Sequence, residues 1–125
     1  MGFQVEIEPQ AFEDIDSITG YINAASDFEV AQKWFNGILE AIASLSDLPT
    51  RCAVMAPESE ELGQEIRLLL YGRKNRTYKI YFSSDQDSDP GLVRVFHVRH
   101  WARKPVTLDE LGDLTEDEPD IHDED

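Results

Sequence analysis

The chain has 125 residues, of which 41% are hydrophobic, and it contains a single cysteine. This length fits one domain with its own hydrophobic core. A lone cysteine can neither close an internal disulfide nor form a metal site, so Cys52 is interpreted as an inert thiol. No phosphate-binding glycine loop, nucleophile elbow or zinc spacing occurs, so we expect no cofactor and no metal. Signal-peptide and membrane-span patterns are missing too, which predicts a cytoplasmic protein with no membrane partner.

The net charge of −15 is unevenly distributed along the chain. Taken alone, it argues against a nucleic-acid partner, because phosphates would be repelled. However, residues 106–125 contain ten acidic side chains and no Lys or Arg. Residues 62–105 contain nine Lys or Arg against four acids, a local charge of +5 (nine minus four). This polarity predicts a basic working face and a partner that is anionic at the point of contact.

The N-terminal half predicts one strand followed by two helices. Alternation of Phe3, Val5 and Ile7 with polar residues indicates a half-buried strand that Pro9 ends. Apolar residues at helical spacing, Ala11, Ile15, Ile18 and Ile22, then predict a helix with Asp14 and Asp16 on its outer side. Asp27 is the predicted N-cap of a second helix whose apolar stripe runs to Leu45 and includes Trp34 as a core residue. The short connection predicts an antiparallel helical hairpin.

The C-terminal half predicts three more strands. Residues 49–63, bracketed by Pro49, Pro57 and Gly63, are interpreted as an irregular loop. Strands are predicted around residues 66–70, 78–82 and 92–99, separated by the turn signals YGRKN and DQDSDPG. The order β-α-α-β-β-β predicts an α+β fold, with the helical hairpin packed on one face of a mainly antiparallel four-stranded sheet. Residues 1–105 form the predicted domain, and 106–125 an acidic tail too charged to fold unaided.

Strand alternation predicts which side chains share the open face of this sheet. Apolar residues are expected to face the helices: Ile66, Leu68, Ile80, Phe82, Phe96 and Val98. The polar residues between them are expected to face away: Arg67, Lys79, Tyr81, His97 and Arg99. Cations, a phenol and an imidazole are the groups that metal-independent RNA cleavage requires, with His97 as base or acid and the two arginines clamping the phosphate. The alternative is an ordinary polar sheet face on which His97 and Tyr81 form a hydrogen-bonding pair.

Further cations lie at the ends of the predicted strands. Arg73, Lys74 and Arg76 fall in a hairpin turn, where they either bind a target or are simply solvated. His100, Arg103 and Lys104 follow the last strand, where they either meet a ligand or hold the C-terminal edge in place.

Four sequence segments together resemble the RelE/ParE toxin superfamily, also described as plasmid stabilization system toxins. They are AFEDIDSITGYI, AQKWFNGILEAIASLSDLP, GQEIRLLLYGRKNRTYKIYF and VRVFHVRHWAR, and the resemblance runs from Phe3 to about Pro105. It implies the same β-α-α-β-β-β fold. It also implies a bacterial toxin of a type II toxin-antitoxin system, neutralised by a cognate antitoxin that wraps its working surface.

Within the superfamily two activities compete. RelE-like members are ribosome-dependent mRNA endonucleases, or mRNA interferases, and the resemblance places Lys79, Arg67 and Arg103 at basic positions of that group. These nucleases usually carry an aromatic residue soon after the last basic group, but Lys104, Pro105, Val106 and Thr107 provide none, and the chain is not strongly basic. The resemblance therefore favours a ParE-like inhibitor of DNA gyrase.

A third hypothesis belongs to a different class of function. The chain would be a toxin-fold binding module that has lost toxicity, with its acidic tail over its basic face. Whether the chain forms a homodimer stays open.

Overall fold

The computed structural model describes residues 2–47, 49–73 and 76–101. The elements are β1 (Phe3–Ile7), α1 (Pro9–Ala25), α2 (Phe28–Ala43), β2 (Ala53–Val54), α3 (Ala56–Leu62), β3 (Arg67–Tyr71), β4 (Tyr78–Asp85) and β5 (Gly91–His100). Among them, none of the helices has the length and apolar character that crossing a membrane requires. The predicted acidic tail lies outside the described residues.

The strands form one mixed sheet in the order β1-β5-β4-β3-β2. β1 runs parallel to its neighbour β5, and every other pair of neighbours is antiparallel. The predicted α+β fold is confirmed, with a fifth strand that the sequence did not reveal. That strand, β2, is only two exposed residues long and pairs with the start of β3.

The helical hairpin covers one side of the sheet, which we call the first face. Asp27 caps α2 as predicted, since its Oδ1 accepts a hydrogen bond of 2.9 Å from the Val30 N–H. The main core joins the apolar stripes of both helices to strands β4 and β5: Ile15, Ile18, Ile38, Ile42, Ile80, Phe82, Val93, Val95 and Val98. Trp34 packs against this core with edge-on contacts to Tyr71 and Tyr78, at centroid distances of 6.1 and 5.2 Å. Its predicted core role is confirmed.

Residues 49–63 do not form the irregular loop that the sequence predicts. They contain β2 and the seven-residue helix α3, with Pro57 in its first turn and Gly63 ending it at φ 72°. Proline is tolerated there because its missing N–H would have no partner in the first turn. The Ser59 hydroxyl accepts a 2.8 Å hydrogen bond from the Ile66 N–H, which joins α3 to the start of β3.

α3 lies on the opposite, second face of the sheet. Leu62 packs there against buried Ile66 and Tyr81, in a small cluster that also contains Leu68 and Phe96. Tyr81 pairs with Leu68 while its neighbour Phe82 belongs to the main core, so the two clusters occupy opposite faces. The prediction that the helical hairpin packs on one face is confirmed, but the expectation that the other face stays open is wrong, because α3 covers part of it.

The predicted inward set of the strands is also partly wrong. Ile80, Phe82 and Val98 face the helical hairpin, but Ile66, Leu68 and Phe96 lie on the second face. In β3 the run Leu68–Tyr71 is apolar throughout, so alternation could not identify its inner side. β5 has one more residue than β4 opposite Tyr81 and Phe82, as in a β-bulge. Val95 and Val98 therefore both face the core although they are three residues apart.

Candidate functional site

Lys79 and Arg99 lie side by side on the second face of the sheet. They are direct cross-strand partners in β4 and β5. The Lys79 Nζ lies 5.9 Å from the centroid of the Tyr81 ring, within the range of a cation–π contact. Glu58 of α3 is close enough to influence the charge of Lys79. These four residues, Glu58, Lys79, Tyr81 and Arg99, are called the second-face cluster below.

The second-face cluster holds its charges largely out of water. Arg99 is 3% exposed and Glu58 is 6% exposed. Burial lowers the pKa of Lys79; the Glu58 carboxylate opposes this lowering and the Arg99 guanidinium adds to it. Among the described residues, the Glu58 Oε1 atom has no hydrogen-bond partner. Two cationic side chains and one carboxylate give the cluster a net positive charge, which suits an anionic group of a partner.

Arg67 does not join Lys79 and Arg99, contrary to the prediction. It pairs with Phe82 and alternates with Leu69 and Tyr71, so it points to the first face. Its Nη1 donates to the carbonyl oxygens of Cys52 at 2.6 Å and Thr50 at 3.2 Å. Its Nη2 bonds the Glu65 carboxylate at 3.2 Å. Arg67 therefore ties the segment before β2 to the sheet.

His97 is buried inside the protein and does not lie on an open surface. Its exposure is 0%, and its Nδ1 lies 2.7 Å from the Asp14 Oδ2. The same Asp14 oxygen accepts the backbone N–H of Val98 at 3.0 Å, and the Gln10 amide donates to the other oxygen at 3.1 Å. The Asp14 Oδ2 acts as an acceptor, because it takes a hydrogen bond from the Val98 N–H. Its neighbour, the His97 Nδ1, is therefore the nitrogen that carries a hydrogen and donates it to Asp14. This histidine holds α1 against the edge of β5.

The remaining predicted site residues are scattered. Arg73 and Arg76 are exposed at the turn between β3 and β4. His100 is 5% exposed, and its ring meets Tyr78 edge-on at 5.4 Å. Lys74 and Arg103 lie outside the described residues. Of the residues predicted for the open face, Lys79, Tyr81 and Arg99 do lie together, but they are largely buried. Arg67 and His97 make structural contacts elsewhere.

The sequence analysis did not identify two residues of these sites, Asp14 beside His97 and Glu58 in the second-face cluster. Asp14 was assigned to the outer side of its helix, yet it follows Ala11 by three residues and precedes Ile18 by four, which is core-facing spacing. That signal was present in the sequence. Glu58 carried none, because its acidic surroundings are typical of a solvated loop. Within the described ranges, no three His, Cys, Asp or Glu side chains are arranged to hold a metal ion.

The chain matches no protein-family model and no curated protein. Among solved structures it is similar to a chain described as "Chromosomal ParDE TA system from P. aeruginosa". The TM-score is 0.60 at 17% sequence identity, and the match covers 77% of this chain and 92% of that chain. Identity this low shows the fold alone. The chain therefore shares the fold of that chain, an α+β fold of the kind that the sequence resemblance implied.

Proposed function

We propose that this chain is the toxin of a type II toxin-antitoxin pair, neutralised by a cognate antitoxin and acting by ParE-like binding to DNA gyrase in the cytoplasm. The observation that carries the proposal is the likeness in fold, which covers 92% of a chain from a ParDE structure. Fold alone does not fix function. The second-face cluster adds a specific reason, since its net positive charge suits an anionic contact on a partner.

The contacts of His97 and Arg67 support binding over catalysis. A general base must come within hydrogen-bond reach of the proton it abstracts. The imidazole of His97 is fully buried and bonded to Asp14, and the Arg67 guanidinium is engaged with backbone carbonyls on the first face. Both would have to leave their partners to meet an RNA phosphate together.

One observation favours the second candidate, a RelE-like mRNA endonuclease. Lys79, Arg99 and Tyr81 lie together on the second face, and two cations beside a phenol can stabilise a phosphorane and donate a proton. This alternative needs neither Arg67 nor His97. It does require the target to reach a half-buried lysine.

Two assays on the purified chain separate the candidates. A gyrase-directed toxin should inhibit supercoiling by purified gyrase and leave transcripts on translating ribosomes intact. Lys79→Ala should reduce this inhibition, whereas Lys33→Ala, a matched change at an exposed lysine of α2, should not. Cut transcripts with normal supercoiling would instead establish the endonuclease. Inactivity in both assays, together with normal growth on expression, would contradict a toxin of either kind.

The antitoxin can be sought beside the gene. A short adjoining open reading frame should encode a protein that restores growth when co-expressed and binds the purified chain. If no product of a neighbouring gene rescues growth, that result would contradict the toxin-antitoxin proposal.

A further inference from the structure

An exposed apolar and cationic surface borders the second-face cluster at one end of the sheet. Leu70, the cross-strand partner of Lys79, is 58% exposed although it lies within β3. Trp101, two residues beyond Arg99, is 50% exposed, and its backbone N–H donates to the Thr77 carbonyl at 2.9 Å. Large apolar side chains so exposed beside a buried arginine and a half-buried lysine indicate a contact surface. An occupant should combine leucine-like groups with negative charge.

The chain itself supplies a segment of that composition. Residues 106–125 contain ten acids and no Lys or Arg, with Leu108, Leu111 and Leu114 spaced three apart among them. Leucines at this spacing lie along one side of a helical turn, which leaves the acids for the cations. The segment is too poor in apolar residues to fold alone, so its order would come from a surface that buries its leucines.

We propose that the acidic segment 106–125 docks on the second face of its own sheet, with its leucines against Leu70 and Trp101 and its carboxylates toward Lys79 and Arg99. This inference does not rest on toxicity. It gives the chain an internal competitor for any anionic partner of the second face, including one that the proposed function requires.

Connectivity allows this contact. The first acid of the segment, Asp109, follows Trp101 by eight residues. Eight residues span at most about 29 Å when extended, whereas Lys79 pairs with a residue only two positions before Trp101. A short tether keeps the segment at an effective concentration of about a millimolar, so a weak contact is enough to populate the docked state.

Paramagnetic labelling of the full-length chain tests the proposal. Cys52→Ser removes the only thiol, and Thr115→Cys places a nitroxide in the acidic segment without changing its charge. We expect loss of the amide signals of Leu70 and Lys79 and of the Trp101 indole signal, while signals of the helical hairpin stay. The signals should return at about 1 M salt, where charges are screened within about 3 Å.

Matched charge variants identify the cause of the contact. Asp109→Asn, Glu110→Gln and Asp113→Asn together should restore the lost signals. Glu6→Gln, Glu13→Gln and Asp16→Asn, at exposed positions of β1 and α1, change the charge equally and should restore nothing. Broadening that is absent, centred on the hairpin, or insensitive to the tail substitutions would overturn the proposal. So would broadening of isotope-labelled, nitroxide-free protein by an added nitroxide copy, because that contact would be between molecules.

Discussion

Asp14 adds polar contacts between the helical hairpin and the sheet to those of the apolar core. β1 ends at Ile7, which pairs with Val95, and the Glu8 N–H still bonds the Val95 carbonyl at 2.9 Å. Beyond that point β5 has lost its parallel neighbour, and the Asp14 carboxylate takes over by accepting the Val98 N–H. A buried backbone donor needs such a partner, because an unsatisfied N–H costs free energy comparable to a lost hydrogen bond.

Asp14→Ala should lower the free energy of unfolding by about 3 kcal/mol, since it removes the buried acceptor that the Val98 N–H and the His97 Nδ1 share. Chemical denaturation measures this loss. The control is Asp16→Ala, an exposed carboxylate on the same helix, which should change stability by less than about 0.5 kcal/mol. Equal effects of the two substitutions would show that the Asp14 network contributes nothing.

Tyr78 makes stability depend on pH in the alkaline range. Burial raises its pKa to about 12 from the usual 10; Arg76 opposes the shift and Tyr21 adds to it. Between these values the unfolded chain loses the phenol proton while the folded chain keeps it. The stabilising contribution is therefore complete below pH 10 and falls by about 2 to 3 kcal/mol as the pH rises to 12.

Unfolding curves measured from pH 9 to 12 test this dependence. Tyr78→Phe should remove most of the alkaline slope, because phenylalanine has no proton to lose. Tyr21→Phe, at a residue 39% exposed, should keep most of it. A slope that survives in Tyr78→Phe would assign the effect to another group.

At the scale of elements, α2 and β3 approach closely at Gly37. A Cβ built there would overlap the Tyr71 hydroxyl, which donates to the Trp34 carbonyl at 3.3 Å. Glycine within a helix normally costs stability relative to alanine. Glycine is explained at position 37 because any larger residue would collide with the Tyr71 hydroxyl.

Gly37→Ala should therefore destabilise the protein by about 1 to 3 kcal/mol through overpacking. Gly20→Ala, with nothing within 4 Å of its added Cβ in α1, should stabilise by about 0.5 to 1 kcal/mol. The double variant Gly37→Ala, Tyr71→Phe should recover part of the loss, because the clashing hydroxyl is gone. Thermal or denaturant unfolding of these three variants and the parent chain tests this prediction, and a stabilising Gly37→Ala would refute the close approach.

At the scale of the whole molecule, the proposed working surface costs stability. Burial and Arg99 lower the pKa of Lys79, so folding disfavours its charged form, and this penalty disappears only as the pH rises above the lowered value. Functional positions are commonly destabilising for this reason.

Lys79→Met should leave the free energy of unfolding unchanged or higher while it reduces inhibition of the target. Lys33→Met, at an exposed lysine, should alter neither quantity. Stability is measured by denaturation and activity by the supercoiling assay. A variant that loses stability and activity together would mean that Lys79 supports the fold.

Sequence alone determined the helical hairpin, the Asp27 cap, the strands predicted from residue 3 to residue 99 and the α+β class, because each depends on periodicity or on a local hydrogen bond. Tertiary structure decided the face of Arg67, the burial of His97 and the place of α3. An apolar run such as Leu68–Tyr71 has no alternation to read, and an extra residue in β5 reverses the side of those that follow. Partners as distant along the chain as Asp14 and Val98 meet only when the chain folds.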